Sequence, residues 1–184
     1  MTRAWIDPVN GWLVVDAAGT TRAEELIGTL RDTLGSLAVQ LVETERPPQV
    51  SMVSWLKLGE APLRLTIDQD LELRAANQSK ATIRYARHPL GGKEIQTHLA
   101  AGMYATRLGL TWNDRIAFVL TEKLQIKRVE FLEMSRDNAA SGNDVEAAEQ
   151  FDIDFTVMAG ELARLIEDVI MALGARVQEQ AAAA

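Results

Sequence analysis

Apolar positions along this chain fall into segments of two periods, with clear punctuation between them. Residues 5–16 hold two short apolar runs around Asn10-Gly11, a dipeptide that supplies the positive φ of a tight turn, and this predicts a β-hairpin. Thr21 and Glu24 stand at capping-box spacing, and Ala23, Ile27, Leu30 and Leu34 follow at helical intervals until Gly35, which predicts an amphipathic helix. Leu37 to Val42 is strand-like, Pro47-Pro48 breaks the chain, and Val50 to Leu58 suits a short helix closing at Gly59.

Residues 63–76 admit two readings. Leu63, Leu65 and Ile67 alternate like a strand, whereas the acidic, leucine-containing stretch behind them fits a helical turn. Lys80 to Arg87 predicts a strand, with Ile83 and Tyr85 on one side, Arg84 and Ala86 on the other, and an end at His88-Pro89. A short helix follows Gly91-Gly92, from Lys93 to Ala101, with Ile95 and Leu99 on one face and Gly102 at its end.

The clearest β signal spans residues 103–131. Tyr104, Thr106, Leu108, Leu110 and Trp112 alternate, Asn113-Asp114 turns, and Ile116, Phe118 and Leu120 alternate back, with a third strand expected at Leu124 to Phe131. If Tyr104, Leu108, Leu110, Ile116, Phe118 and Leu120 face the core, the period of two places Arg107 and Arg115 together on the opposite face. Lys127-Arg128 straddles both faces, so that strand needs a bulge or a partner on each side. Ser135 to Gly142 is a polar linker. From Ile153, the apolar positions Val157, Met158, Leu162, Leu165, Ile166, Val169, Ile170 and Leu173 mark a long helix that Gly174 ends. No internal repeat is present.

The expected fold is α+β, with antiparallel β-sheet hairpins, packed amphipathic helices and a long C-terminal helix. It divides into a hairpin–helix segment (1–62), a basic strand-rich segment (63–134), a linker with the C-terminal helix (135–176) and a disordered tail (177–184).

Composition narrows the chemistry. The 184 residues contain no cysteine, which excludes disulfides, Cys-ligated zinc, iron–sulfur clusters and thiol nucleophiles. The first residues lack the apolar run of a signal peptide, and no stretch reaches the roughly 18 apolar residues of a membrane span, so a cytoplasmic location is expected. A net charge of -7 argues against a polyanion partner until it is resolved along the chain. Residues 1–73 carry 6 basic and 11 acidic side chains, residues 74–128 carry 10 and 3, and residues 129–184 carry 3 and 12. A basic middle between acidic flanks fits a polyanion-binding surface, and equally fits solvated strand faces neutralised by acidic neighbours.

No catalytic constellation stands out. The two histidines, His88 and His98, lack metal-ligand spacing, no serine lies in a G-x-S-x-G elbow, and no metal or cofactor is expected. Gly91-Gly92-Lys93 opens a helix and is a weak phosphate signal, with a plain turn the likelier reading. The acids Asp68, Asp70 and Glu72, like Asp152 and Asp154, read as solvated positions. Trp5, Trp12, Trp55 and Trp112 sit inside apolar patterns and read as packing residues more readily than as base-stacking platforms.

Four segments together resemble the bacterial recombination-associated RdgC family. They are Trp5-Ile-Asp-Pro-Val-Asn-Gly11 with Val15-Asp16; Leu30-Arg-Asp-Thr-Leu-Gly-Ser-Leu37; Thr106-Arg-Leu-Gly-Leu-Thr-Trp112 with Arg115-Ile-Ala-Phe-Val119; and Phe151-Asp-Ile-Asp-Phe-Thr-Val-Met-Ala-Gly-Glu-Leu162. The resemblance implies a non-enzymatic, nucleoid-associated protein that binds double- and single-stranded DNA with little sequence preference. It further implies a homodimer closing a ring with a positively charged hole, and restraint of RecA-promoted strand exchange by occupancy of the DNA. On this resemblance, Arg87 and His88 fall at a basic-polar pair at a domain junction, and Arg107, Lys127 and Arg128 fall on basic positions. The chain corresponds to the larger C-terminal part of a family member, without the N-terminal part that contributes to the ring, and Met103 stands where the family has a lysine.

The expected DNA-binding residues are therefore Lys80, Arg84, Arg87, His88, Lys93, Arg107, Arg115, Lys127 and Arg128. Two other readings stay open. One is a self-association module whose basic strip meets the acidic flanks of a second subunit; the other is an enzyme whose pocket gathers polar groups.

Overall fold

A computed structural model describes residues 1–132 and 147–174. The expected linker at 135–142 and the tail at 177–184 lie outside the described residues. Strands β1 (Arg3–Asp7) and β2 (Trp12–Asp16) form the expected hairpin in antiparallel register, Asp7 opposite Trp12. Its turn is held by Asp7, whose Oδ1 accepts the amides of Val9 and Asn10 at 3.0 Å each and whose Oδ2 accepts Asn10 Nδ2 at 2.8 Å; Gly11 supplies φ 71°. Helix α1 (Thr20–Leu34) begins two residues earlier than the capping box predicts. Thr21 lies inside the helix, Gly19 occupies the cap with no side-chain bond, and Gly35 at φ 74° ends it. Leu37 to Val42 forms no strand, and Leu41 is exposed. Alternation over so short a run is uninformative when no neighbouring strand pairs with it.

Helix α2 (Pro48–Leu58) starts on the proline, whose missing N–H costs nothing in a first turn, and closes at Gly59 with φ 77°. The ambiguous segment is a strand, β3 (Leu65–Ala75), followed by β4 (Thr82–Tyr85), α3 (Lys93–Ala100), β5 (Met103–Trp112), β6 (Ile116–Thr121) and β7 (Ile126–Phe131). Long helix α4 runs from Ala147 to Ala172. The expected α+β class holds. β3 to β7 form one antiparallel sheet in the order β4-β3-β5-β6-β7.

The chain divides into two units. The smaller contains residues 1–43 and 147–164, the larger residues 44–132 and 165–174 among those described. Among the described residues, every buried hydrophobic belongs to the larger unit. One face of its sheet carries Leu65, Leu71, Leu73, Ala105, Leu108, Leu110, Trp112, Ile116, Phe118 and Leu120 into a core completed by Met52, Trp55 and Leu56 of α2, Ile95 and Leu99 of α3, and Leu165, Val169 and Leu173. Gln96 Nε2 donates to the Leu56 carbonyl at 2.8 Å, satisfying one orphan acceptor at the end of α2.

Irregular pairings decide which side chains leave the core. Glu72 pairs with Arg107 but Leu73 with Ala105, so Thr106 is an extra residue, and the alternation reverses there. Tyr104 consequently stands on the uncovered face instead of the expected core, and Ala105 takes the core position. A second shift gives β3 extra residues between Ile67 and Leu71, arching over Gly109. A Cβ at Gly109 would lie 3.2 Å from both the Cβ and the carbonyl oxygen of Asp70, so any side chain there would press on the arch. The third, at Arg128 with φ 53°, is the bulge that Lys127-Arg128 demanded.

Candidate nucleic-acid interface

The face of the sheet turned away from the core is built around a carboxylate. Glu72 lies in register between Arg84 on β4 and Arg107 on β5, so strand pairing alone brings the three side chains together. Arg84 donates to Glu72 Oε2 at 3.2 Å, while Arg107 Nε and Arg74 lie 3.8 and 3.9 Å from Oε1. Thr106, turned by its bulge, donates to the same Oε1 at 2.8 Å. Arg74 also donates to Glu122 at 3.1 Å. Burial works against the charge on Glu72, whose side chain is only 12% exposed. The Thr106 hydroxyl and the Arg107 and Arg84 guanidinium groups outweigh that penalty and hold its carboxyl below the usual carboxylate range. The arginines keep their ends in water: Arg84 and Arg107 are 59% and 45% exposed.

A second cluster lies to one side on the same sheet. Asp70, at the crest of the β3 arch, accepts the Arg87 amide at 3.1 Å on Oδ1, and its Oδ2 faces Arg128 at 3.6 Å. Arg87 and Arg128 both hold left-handed backbones, φ 52° and 53°, a conformation that costs non-glycine residues on the order of 1 kcal/mol. Lys127 pairs with Val119 and projects from the same face.

The nine expected site residues therefore divide. Arg84, Arg107, Lys127 and Arg128 share the uncovered face, and Arg87 is tied to it through Asp70. Arg115 does not join Arg107: it occupies the β5–β6 turn, and five residues of strand from Arg107 to Trp112 span about 16 Å. Lys80 precedes β4 instead of opening it, and contributes to a cavity of about 530 Å³ beside α2 with Asn77, Gln49, Val53 and Tyr104. Lys93 opens α3, and His88 Nε2 lies 3.4 Å from Glu94 and its ring 5.4 Å from Tyr85, so this pair belongs to the β4–α3 connection. Lys80, Arg87, Lys93 and Lys127 make no ion pair among the described residues.

Sequence reading passed over Arg74 and Glu122 and took Asp70 and Glu72 as solvated; Asp70 is partly exposed, but Glu72 is buried because register places it between arginines on both neighbouring strands. One signal was available: once 65–75 is a strand, Glu72 and Arg74 share a side. No signal announces the bulges that bring Thr106 and Arg128 to it.

The opposite face has its own carboxylate. Asp168 of α4 accepts Trp112 Nε1 at 2.6 Å and Arg64 at 2.8 and 3.1 Å, with the Arg64 guanidinium 5.2 Å from the Trp112 ring centre. Trp55 and Trp112 are core residues and offer no stacking platform. Among the described residues, no three histidine or acidic side chains converge as a cation site, and no helix is long and apolar enough to cross a membrane.

Residues 1–176 match the sequence profile of a family described as "Putative exonuclease, RdgC". Curated relatives carry a different name, "Recombination-associated protein RdgC". The protein of that name from Dechloromonas aromatica (strain RCB) is 47% identical over 181 residues, covering 97% of this chain and 59% of the relative. The one from Cupriavidus pinatubonensis is 46% identical over 173 residues, covering 94% and 58%, and the one from Bordetella parapertussis is 45% identical over 175 residues, covering 94% and 58%. The chain thus spans about three fifths of the length of the curated relatives it matches.

Proposed function

Because the chain belongs to the RdgC family of recombination-associated proteins, we propose that the uncovered sheet face binds the phosphate backbone of DNA without reading its sequence. The observation that carries this reading is the convergence of Arg74, Arg84, Arg107 and Arg128, from four different strands, on one half-exposed surface. Guanidinium groups spread over a sheet meet phosphates as charges and hydrogen-bond donors, and phosphate contacts carry no sequence information. Occupied DNA is unavailable to a recombinase, so the proposed consequence is restraint of RecA-promoted strand exchange, with a homodimer at the nucleoid as the working unit. The reading is binding without chemistry, which goes against the exonuclease description.

Glu72, Asp70 and Glu122 offset much of the positive charge, so affinity should be modest and steeply salt-dependent. The test is a titration of random-sequence duplex and single strand at rising salt. The expected result is binding at low salt that is alike for unrelated sequences, with the slope of log affinity against log salt shallower by about 0.9 for each arginine removed. No binding at low salt by folded protein would reject the reading. Shortening of an end-labelled duplex in the presence of Mg²⁺ would restore the exonuclease.

A further inference from the structure

Glu72 and Asp70, two of the carboxylates on the uncovered face, are held in different ways. Glu72 is largely enclosed, takes a 2.8 Å bond from Thr106 and has three arginines within 4 Å. Asp70 is 40% exposed and its partner Arg128 71%, and their 3.6 Å separation is too long for a hydrogen bond. An exposed pair of this kind contributes little and parts easily. Yet Asp70 is not incidental, because its seat is built. The β3 arch places it over Gly109, where an added Cβ would lie a tight 3.2 Å from it, and its Oδ1 is occupied by the Arg87 amide, which leaves Oδ2 as the oxygen that faces Arg128.

We propose that Asp70 is a displaceable counter-charge, occupying at Arg128 the place of a phosphate until a polyanion takes it over. The proposal rests on the DNA-binding reading above and assigns regulation within that same face. Oδ1 fixes the left-handed backbone of Arg87, so Asp70 stays in place when Arg128 turns away. The arriving phosphate releases Arg128 from one anion and meets the negative charge of Asp70 beside it. Asp70 thereby lowers affinity for sparse anions and leaves binding to the dense charge of a nucleic acid, where neighbouring arginines engage together.

Asp70→Asn separates the two roles, since the amide oxygen can still accept the Arg87 amide while the charge opposite Arg128 is gone. Binding of random-sequence duplex is measured across salt for wild type, Asp70→Asn, Arg128→Ala and the double variant, with far-UV circular dichroism and melting as folding controls. Asp70→Asn should bind about threefold to fivefold more tightly, with a salt slope steeper by about 0.9, and the gain should vanish in the Arg128→Ala background. Asp70→Ala, which also loses the acceptor for Arg87, should bind less tightly than Asp70→Asn. Should Asp70→Asn fail to fold, Asp70→Ser gives the same readout with a shorter acceptor. Binding by wild type that Asp70→Asn leaves unchanged, or a gain of equal size without Arg128, overturns the counter-charge while the DNA-binding reading stands. Absence of binding by all the folded proteins at low salt overturns both.

Discussion

Each face of the five-stranded sheet carries one enclosed carboxylate, and the two do opposite things with it. On the covered face Asp168 is 7% exposed and collects Trp112 and Arg64. There, burial opposes the charge, and the Arg64 and Trp112 hydrogen bonds reverse that penalty to hold the carboxyl below its usual range. These bonds tie the end of α4 to Trp112 at the end of β5 and to Arg64 just before β3. On the uncovered face Glu72 gathers more arginines than it can neutralise, and they remain in water. The same chemistry serves as a fastening where one arginine meets one enclosed carboxylate, and leaves positive charge in water where three arginines crowd around one.

The covered face should be by far the more sensitive to truncation. Leu108 is wholly enclosed between strands and helices, so Leu108→Ala should cost about 2–5 kcal/mol, read as a fall in melting temperature. If that variant melted like the wild type, the sheet would not be packed as described.

Asp168→Ala ranks next. It leaves the Trp112 indole N–H buried without an acceptor and should cost about 2 kcal/mol, with a change in tryptophan emission. Acid offers a second measurement. Asp168 and Glu72 have folded pKa values below their unfolded values, so each binds its proton less tightly in the native state. Their contribution is complete above the unfolded carboxylate pKa of about 4 and is lost as pH falls through the folded values. Asp168→Asn should therefore flatten the loss of stability on acidification. An unchanged acid limb would mean the carboxylate is not held as the geometry indicates.

How much of this contrast could be read from the chain follows from its periodicities. Leu108, Leu110, Ile116, Phe118 and Leu120 alternate without interruption, and they do form the core side of β5 and β6. Arg107 follows as an outward position from the same alternation. Tyr104 was misplaced because the extra residue at Thr106 reverses the alternation, and a bulge leaves no mark in a run of apolar and polar letters. Arg115 was misplaced because a strand period was carried into a turn. The pairing of Glu72 with Arg84 and Arg107 depends on register across three strands, which a linear sequence does not state. Asp168 sits between the apolar positions Leu165 and Val169 of α4, where an acid is a legible anomaly, although its partners Trp112 and Arg64 lie far away in sequence.

Glu72→Gln sharpens the contrast more than any change on the covered face. It weakens the tie that holds Arg84, Arg107 and Thr106 together, so stability should fall by about 1 kcal/mol. It also removes a negative charge from between the arginines, so affinity for DNA should rise and its salt slope should steepen by about 0.9. Loss of stability with gain of affinity is the combination a purely structural cluster would not give.

Arg107→Ala should have the smallest effect on the fold and a clear one on binding. Its guanidinium is about half exposed and lies 3.8 Å from Glu72, beyond hydrogen-bond length, with Arg84 and Thr106 still bonded to the carboxylate. Such a pair contributes about 0.2–1 kcal/mol, so the melting temperature should barely move. As one of the cations offered to phosphate, however, its removal should make the salt slope shallower by about 0.9, equally for unrelated sequences. Arg64→Ala is the control from the covered face, since Arg64 is also an exposed-ended arginine beside a buried carboxylate, but its donors are directed at Asp168. It should lower stability and change the salt slope less than Arg107→Ala does. If the two variants shifted the slope equally, the uncovered face would have no special claim on the phosphate backbone.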